Sequence, residues 1–238
     1  KLGIAKFLLS ELGVDRIEIA SARVSEGEFQ TVKKITEWAD KAGYLPKIEV
    51  LGFVDGETSL NWIESVGGTV INLLTKGSLR HVTEQLRKTP QAHIDDIKRA
   101  IDLAHKKKIS VNLYLEDWSN GMKNSPSYVF DMVDALCGEG VNRFMLPDTL
   151  GILNPLQTAD FCSQMVKRYP NLKFDFHAHN DYDLAVSNVF AAVNSGISGI
   201  HTTINGLGER AGNAPLTSVL AVLHDQLGIK TKINEQKM

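Results

Sequence analysis

Strand-like and helical segments alternate along the whole chain, no glycine-rich turn follows the first strand, and polar residues collect where the strands end. Together these features predict an α/β fold of parallel strands joined by helices, and a TIM (β/α)8 barrel rather than a doubly wound open sheet. The 238 residues suit one barrel domain, and no linker or low-complexity segment divides them, so 1–238 reads as a single domain. Seven strands can be counted, with a helix ahead of the first. The expectation is a barrel whose first strand is missing from this numbering and precedes Lys1.

The opening segment KLGIAKFLLSELG has a helical pattern and stops at Gly13, a residue suited to ending a helix. Val14–Ser21 is strand-like, and a helix follows over about Glu26–Ala42. Lys47–Phe53 (KIEVLGF) and Thr69–Leu74 (TVINLL) are apolar runs of strand length, separated by the helix TSLNWIESV. A long helical region from about Ser78 to Lys107 should break near Thr89-Pro90, because the residue before a proline disfavours helix. Ile109–Asp117, Arg143–Asp148, Lys173–His179 and Gly199–Asn205 complete the strands. Helices fill the gaps at about Ser125–Gly138, Asn154–Tyr169, Asp183–Ser195 and Ala214–Leu227.

Composition excludes little but points one way. The formal charge is -2, from 26 basic and 28 acidic residues, so neither a nucleic-acid nor a membrane surface is expected. Lys106, Lys107 and Lys108 read as a solvated helix end. Cys137 and Cys162 have no metal-ligand spacing, which suggests buried or partly buried free thiols in a reducing compartment. No signal peptide or membrane-length apolar run is found, and a soluble cytoplasmic protein is the expectation.

In a barrel the chemistry belongs at the C-terminal strand ends. His177 and His179 sit two apart in FDFHAHNDYDL, on one face of a strand at the point where it stops. Two imidazoles so placed can share one metal ion, or can be rim histidines bonded to loop backbone. Asn180 and Asp181 are candidate ligands, supporting partners or caps, and Asp181 and Asp183 read best as caps of the next helix. In YLEDWSNG, Glu116 shares a face with Tyr114 ahead of a glycine turn; it is a candidate base or an ordinary loop ion pair. Thr149, in LPDTLG, could bind a carboxylate or cap its turn. In GLGERAGN, Gly206, Gly208 and Gly212 permit close backbone approach, and Asn213 stands at a helix start.

Taken in order, LEDWSNG, LPDTLG, HAHNDYDLAVSN and INGLGERAGNAPL resemble the acyl-CoA-condensing, metal-dependent barrels: 2-isopropylmalate, citramalate and homocitrate synthases. Hydroxymethylglutaryl-CoA lyase belongs to the wider superfamily. The likeness covers nearly the whole chain. It implies a Claisen condensation of acetyl-CoA with a small 2-oxo acid, assisted by a divalent ion (Mg²⁺, Mn²⁺ or Zn²⁺). By motif, His177 and His179 would be metal ligands with Asn213 as ligand or water-mediated partner, and Thr149 would hold the substrate carboxylate. Glu116 would serve proton abstraction, Tyr114, Leu51 and Leu74 would line the 2-oxo acid pocket, and Glu209 and Arg210 would shape the closing loop.

Two departures from the family pattern stand out. The family's first strand ends in Arg-Asp-Gly-x-x-Gln, supplying a metal-ligating Asp and an Arg, and that motif is absent here. Family members also continue into linker and regulatory domains and act as homodimers whose partners complete the site. The chain is therefore expected to be the partial catalytic barrel of a longer protein, poorly active alone. The apolar pocket suits pyruvate (giving citramalate) and 2-oxoisovalerate (giving 2-isopropylmalate) about equally. A second substrate carboxylate, as in homocitrate synthesis, would want a basic pocket residue, and the lyase branch carries a loop cysteine that GLGERAGN lacks.

Overall fold

The structure is a computed structural model that describes all residues 1–238. Helix α1 (Leu2–Lys6) continues through a wider turn, Phe7–Leu12, and ends at Gly13, whose φ of 81° is a left-handed conformation that glycine adopts freely. Strands β1 (Ile17–Ser21), β2 (Ile48–Phe53) and β3 (Val70–Lys76) are separated by helices α2 (Glu26–Lys41) and α3 (Thr58–Ser65). After β3 a short turn of helix over His81–Gln85 leads to α4 (Pro90–Lys106), then β4 (Ser110–Glu116). Helices α5 (Trp118–Asn124) and α6 (Pro126–Leu136) precede β5 (Phe144–Asp148). The pattern closes with α7 (Pro155–Arg168), β6 (Phe174–Ala178), α8 (Ala185–Asn194), β7 (Gly199–His201) and α9 (Leu216–Asp225).

All seven strands are parallel and lie in sequence order, β1 to β7, in one curled sheet. β1 and β7 are its two edges. Residues facing the helices are apolar: Val50, Ile71, Leu73, Val111, Leu113, Phe144, Phe174 and Phe176 are fully buried in one continuous core. Removing that surface from water at about 25 cal/mol per Å² is the main force holding helices to sheet. The sequence places helix starts well, as Ser25, Thr89 and Asn154 each accept a hydrogen bond from the first turn of α2, α4 and α7. Each such cap contributes about 1 kcal/mol.

The inner face differs. Its lower layers hold charged and amide side chains that reach across the curl. Arg16, just before β1, bonds Asp175 on β6 (2.8 Å), while Arg143, just before β5, bonds Glu49 on β2 (2.9 Å). Asn72 donates to Glu18 and Glu49 and accepts from Asn112. These cross-lumen bonds hold the seven strands in barrel curvature.

Three expectations need correcting. WSNG is not a glycine turn but the start of α5; Gly121 is needed there because a Cβ would fall 2.1 Å from the Gly77 carbonyl oxygen. Asp181 and Asp183 do not cap α8. Asn180 Oδ1 accepts from Ala185 N instead, leaving Asp181 for Arg210. Cys162 is buried as expected, but Cys137 is exposed, because it falls at the C-terminal end of α6 past the last core residue, Leu136.

Candidate active site

β6 carries His177 near its end and His179 just beyond it, and both rings turn to the inner rim. Their Nε2 atoms are 3.3 Å apart. The loop 206–213 folds back so that Asn213 bridges His179, and its side-chain amide nitrogen lies 3.2 Å from His177 Nε2. Asn213 is therefore not a helix start: α9 begins three residues later, after Pro215. Glycine makes the return possible. A Cβ at Gly208 would lie 1.8 Å from Asn213 Oδ1, and one at Gly212 would lie 2.2 Å from the Gly206 carbonyl oxygen.

This donor set fits a divalent metal ion. Burial, aided by the charges of His201 and His179, holds His177 well below the ordinary histidine value, and burial followed by Arg210 lowers His179. Both rings therefore favour the neutral form whose lone pair binds metals. Two nitrogens about 2.0–2.1 Å from one ion, at a tetrahedral angle, stand about 3.3–3.4 Å apart. The alternative of rim histidines bonded to loop backbone is not observed, since both Nδ1 atoms are buried without a partner. The third convergent group is the Asn213 amide; no third histidine, cysteine or carboxylate joins the pair.

The expected pocket residues share the inner face. Leu74 and Tyr114 are register partners on β3 and β4, with Leu51 on the adjoining β2. The Tyr114 ring stands edge-on to His177, centroids 5.9 Å apart. One step toward the rim, Glu116 pairs with Lys76, its own register partner. The backbone of Lys76 is clamped: His93 Nε2 accepts its N–H (3.1 Å), and Tyr128 donates to its carbonyl (2.9 Å). His93 can accept because burial pushes it down to about 4, keeping the ring neutral.

Thr149 Oγ1 accepts from Asp117 N (2.9 Å), which leaves its own O–H free to donate. Arg210 grips Asp181 with Nε and Nη2 (2.7 and 2.9 Å) and donates to the Thr149 carbonyl (2.8 Å), so the glycine loop is tied to the β5 loop. The Glu209 side chain projects into solvent and pairs with Arg210. Beside Thr149 a cavity of about 520 Å³ opens between the ends of β3 and β4, lined largely by polar residues including Ser78, His81, Asn120 and Ser125. Buried Asp117 accepts there from Ser78 Oγ (2.7 Å) and Asn120 Nδ2 (2.8 Å).

Sequence reasoning missed Lys76, His201 and the ionic layer below them. Alternation carries the signal: Asp175 precedes His177 by two, and Lys76 follows Leu74 by two, so each shares the inner face with a residue already singled out. His201 could not be found that way, because its role depends on contacts across the lumen.

Known proteins resemble the chain in both sequence and fold. The HMGL-like family matches residues 1–238. The chain is 31% identical over 234 residues to a probable 2-isopropylmalate synthase of Ignicoccus hospitalis, covering 98% of this chain and 56% of that one. It is 34% identical to (R)-citramalate synthase CimA of Methanocaldococcus jannaschii (100% and 46% covered) and 32% identical to a homocitrate synthase of Sulfurisphaera tokodaii (99% and 50%). It thus spans about half the length of these relatives. In fold it is similar to hydroxymethylglutaryl-CoA lyase from Pseudomonas aeruginosa, with a TM-score of 0.75 at 18% identity, covering 100% of this chain and 82% of that one. With a curled parallel sheet, its polar rim and a match along its whole length, the chain belongs to the HMGL-like family.

Proposed function

We propose that this chain is the catalytic barrel of a 2-alkylmalate synthase, an acyltransferase that joins acetyl-CoA to a short 2-oxo acid and releases the thiol. The observation that carries the proposal is the convergence of two neutral imidazoles and the Asn213 amide beside a wall of Leu51, Leu74 and Tyr114. The names of the relatives support the reaction class.

His177, His179 and Asn213 would hold a divalent ion, which supplies Lewis-acid polarisation of a ketone when bound. Thr149, with its hydroxyl proton free, would donate to the substrate carboxylate. Glu116, oriented by Lys76, would take the proton from the acetyl methyl carbon. Removing that proton gives the carbon nucleophile that attacks the ketone, and water then releases coenzyme A. The polar cavity beside Thr149 has room for the acyl-CoA arm. Arg210 closes the glycine loop over the substrates.

The apolar wall favours pyruvate or 2-oxoisovalerate over 2-oxoglutarate. Lys76, one step toward the rim from Leu74, is already paired with Glu116. Thiol release by the full-length protein, assayed with each 2-oxo acid in turn and with Mg²⁺ or Mn²⁺, tests the proposal. Turnover is expected with pyruvate or 2-oxoisovalerate and should vanish with a chelator. No release with any 2-oxo acid would overturn it.

A further inference from the structure

Tyr114 forms part of the pocket wall, yet its hydroxyl is engaged below the pocket. Its oxygen is 2.9 Å from His201 Nδ1, and the other nitrogen of that ring, Nε2, is 3.3 Å from Asp175 Oδ2. Arg16 Nη2 holds the same carboxylate oxygen at 2.8 Å, and Arg143 Nε lies 3.7 Å from it. A carboxylate here can only accept, so Nε2 of His201 carries the hydrogen of that bond, and Nδ1 stands opposite the Tyr114 hydroxyl. The phenol is thereby aimed at His201, away from the pocket.

The chain makes specific room for this arrangement. A Cβ at position 199 would lie 2.1 Å from Asp175 Oδ1, so Gly199, two residues before His201 on the same inner face, lets the carboxylate reach the ring. Asp175 is almost fully buried, and although burial opposes it, the His201 hydrogen bond and the charges of His201, Arg16 and Arg143 hold it below the ordinary carboxylate range. His201 also packs edge-on against both Tyr114 and His177. The Tyr114 hydroxyl has no other polar partner, so this bond fixes the direction in which the phenol points.

We propose that His201, backed by Asp175, is a positioning residue that fixes the Tyr114 ring as a rigid stop and so sets which 2-oxo acid side chains fit. The proposal rests on the synthase reading for its substrates. The pocket presents ring carbons rather than a hydroxyl, and its depth is set by a side chain that cannot swing while the tether holds. Released from it, the ring no longer holds a fixed depth, and the pocket can admit additional methyl groups. Each methyl group admitted or refused is worth about 10-fold or more in selectivity.

The test uses the full-length enzyme and the ratio of kcat/KM for pyruvate to that for 2-oxoisovalerate. Tyr114→Phe keeps the ring and removes only the tether, and His201→Leu removes its partner. Each is expected to move the ratio toward 2-oxoisovalerate by about 10-fold, and the double variant no further than either single. A ratio within twofold of wild type in Tyr114→Phe, or effects that multiply in the double variant, overturns the inference. If His201→Leu fails to fold, Tyr114→Phe alone decides. Independently of turnover, the Tyr114 hydroxyl proton should be visible by NMR as a slowly exchanging resonance; its absence in wild type also overturns the inference. Wild-type enzyme inactive with every 2-oxo acid refutes the synthase reading instead, and the NMR result then decides the tether alone.

Discussion

Gly208→Ala tests, without deleting Asn213, whether it joins His177 and His179 in the proposed metal site. Gly208 is not in the left-handed region, so alanine is tolerated by its backbone. The cost is steric: the new Cβ would lie 1.8 Å from Asn213 Oδ1 and 2.9 Å from Asn213 Cγ. The Asn213 backbone cannot retreat easily, since its N–H bonds the Gly206 carbonyl (3.0 Å) and the next N–H bonds the Ala178 carbonyl (3.2 Å). The side-chain amide must therefore move by roughly 1 Å, a misplacement that can cost about 100-fold at a reacting centre and, for groups supporting a metal, about 10–100-fold in affinity. The overpacking itself should destabilise the fold by about 1–3 kcal/mol. Calorimetric titration of the full-length protein with Mn²⁺ measures the first effect and urea denaturation the second. Gly138→Ala is the control, because a Cβ there meets nothing within 4 Å. Mn²⁺ affinity in Gly208→Ala within twofold of wild type would refute the reasoning that Asn213 completes the site.

His93 is almost fully buried and takes up its proton only near pH 4, against about 6.5 when unfolded. The unfolded chain therefore binds more protons between those values. Stability should be full above pH 6.5 and fall by about 3 kcal/mol on acidification to pH 4, a loss that His93→Gln should reduce in urea titrations. Arg143→Met removes a partner of both Glu49 and Asp175, leaving Arg16 alone between two buried carboxylates, and should cost about 3–5 kcal/mol by the same measurement. Lys106→Ala, from an exposed pair with Asp102, should cost less than about 1 kcal/mol. Arg210→Lys cannot reproduce the two-pronged grip on Asp181 together with the bond to Thr149. Steady-state kinetics should show a raised KM for the 2-oxo acid, with the melting temperature nearly unchanged.

Most of the architecture was legible because it depends on short-range patterns. Apolar runs of strand length, proline at the first turn of α4 and α7, and Gly13 at a helix end act within a few residues, so the order of elements could be read directly. The missed helix α5 shows the limit. Its glycine, Gly121, reads locally as a turn signal, but it is there so that the helix can press against the Gly77 carbonyl, a neighbour 44 positions away in sequence. The candidate site divides the same way. His177 and His179 announce themselves by spacing on one strand, strand-end position singled out Glu116, Thr149 and Asn213, and motif likeness gave all five their roles. That His201 holds Tyr114, that Lys76 faces Glu116, and that Arg16 spans the lumen to Asp175 were decided by strand register and the curl of the sheet. Alternation states which face a side chain takes, but the partner it meets depends on strand register and on the distance across the barrel. Those are properties of the assembled sheet, set by burial on its outer face and by charge pairing within.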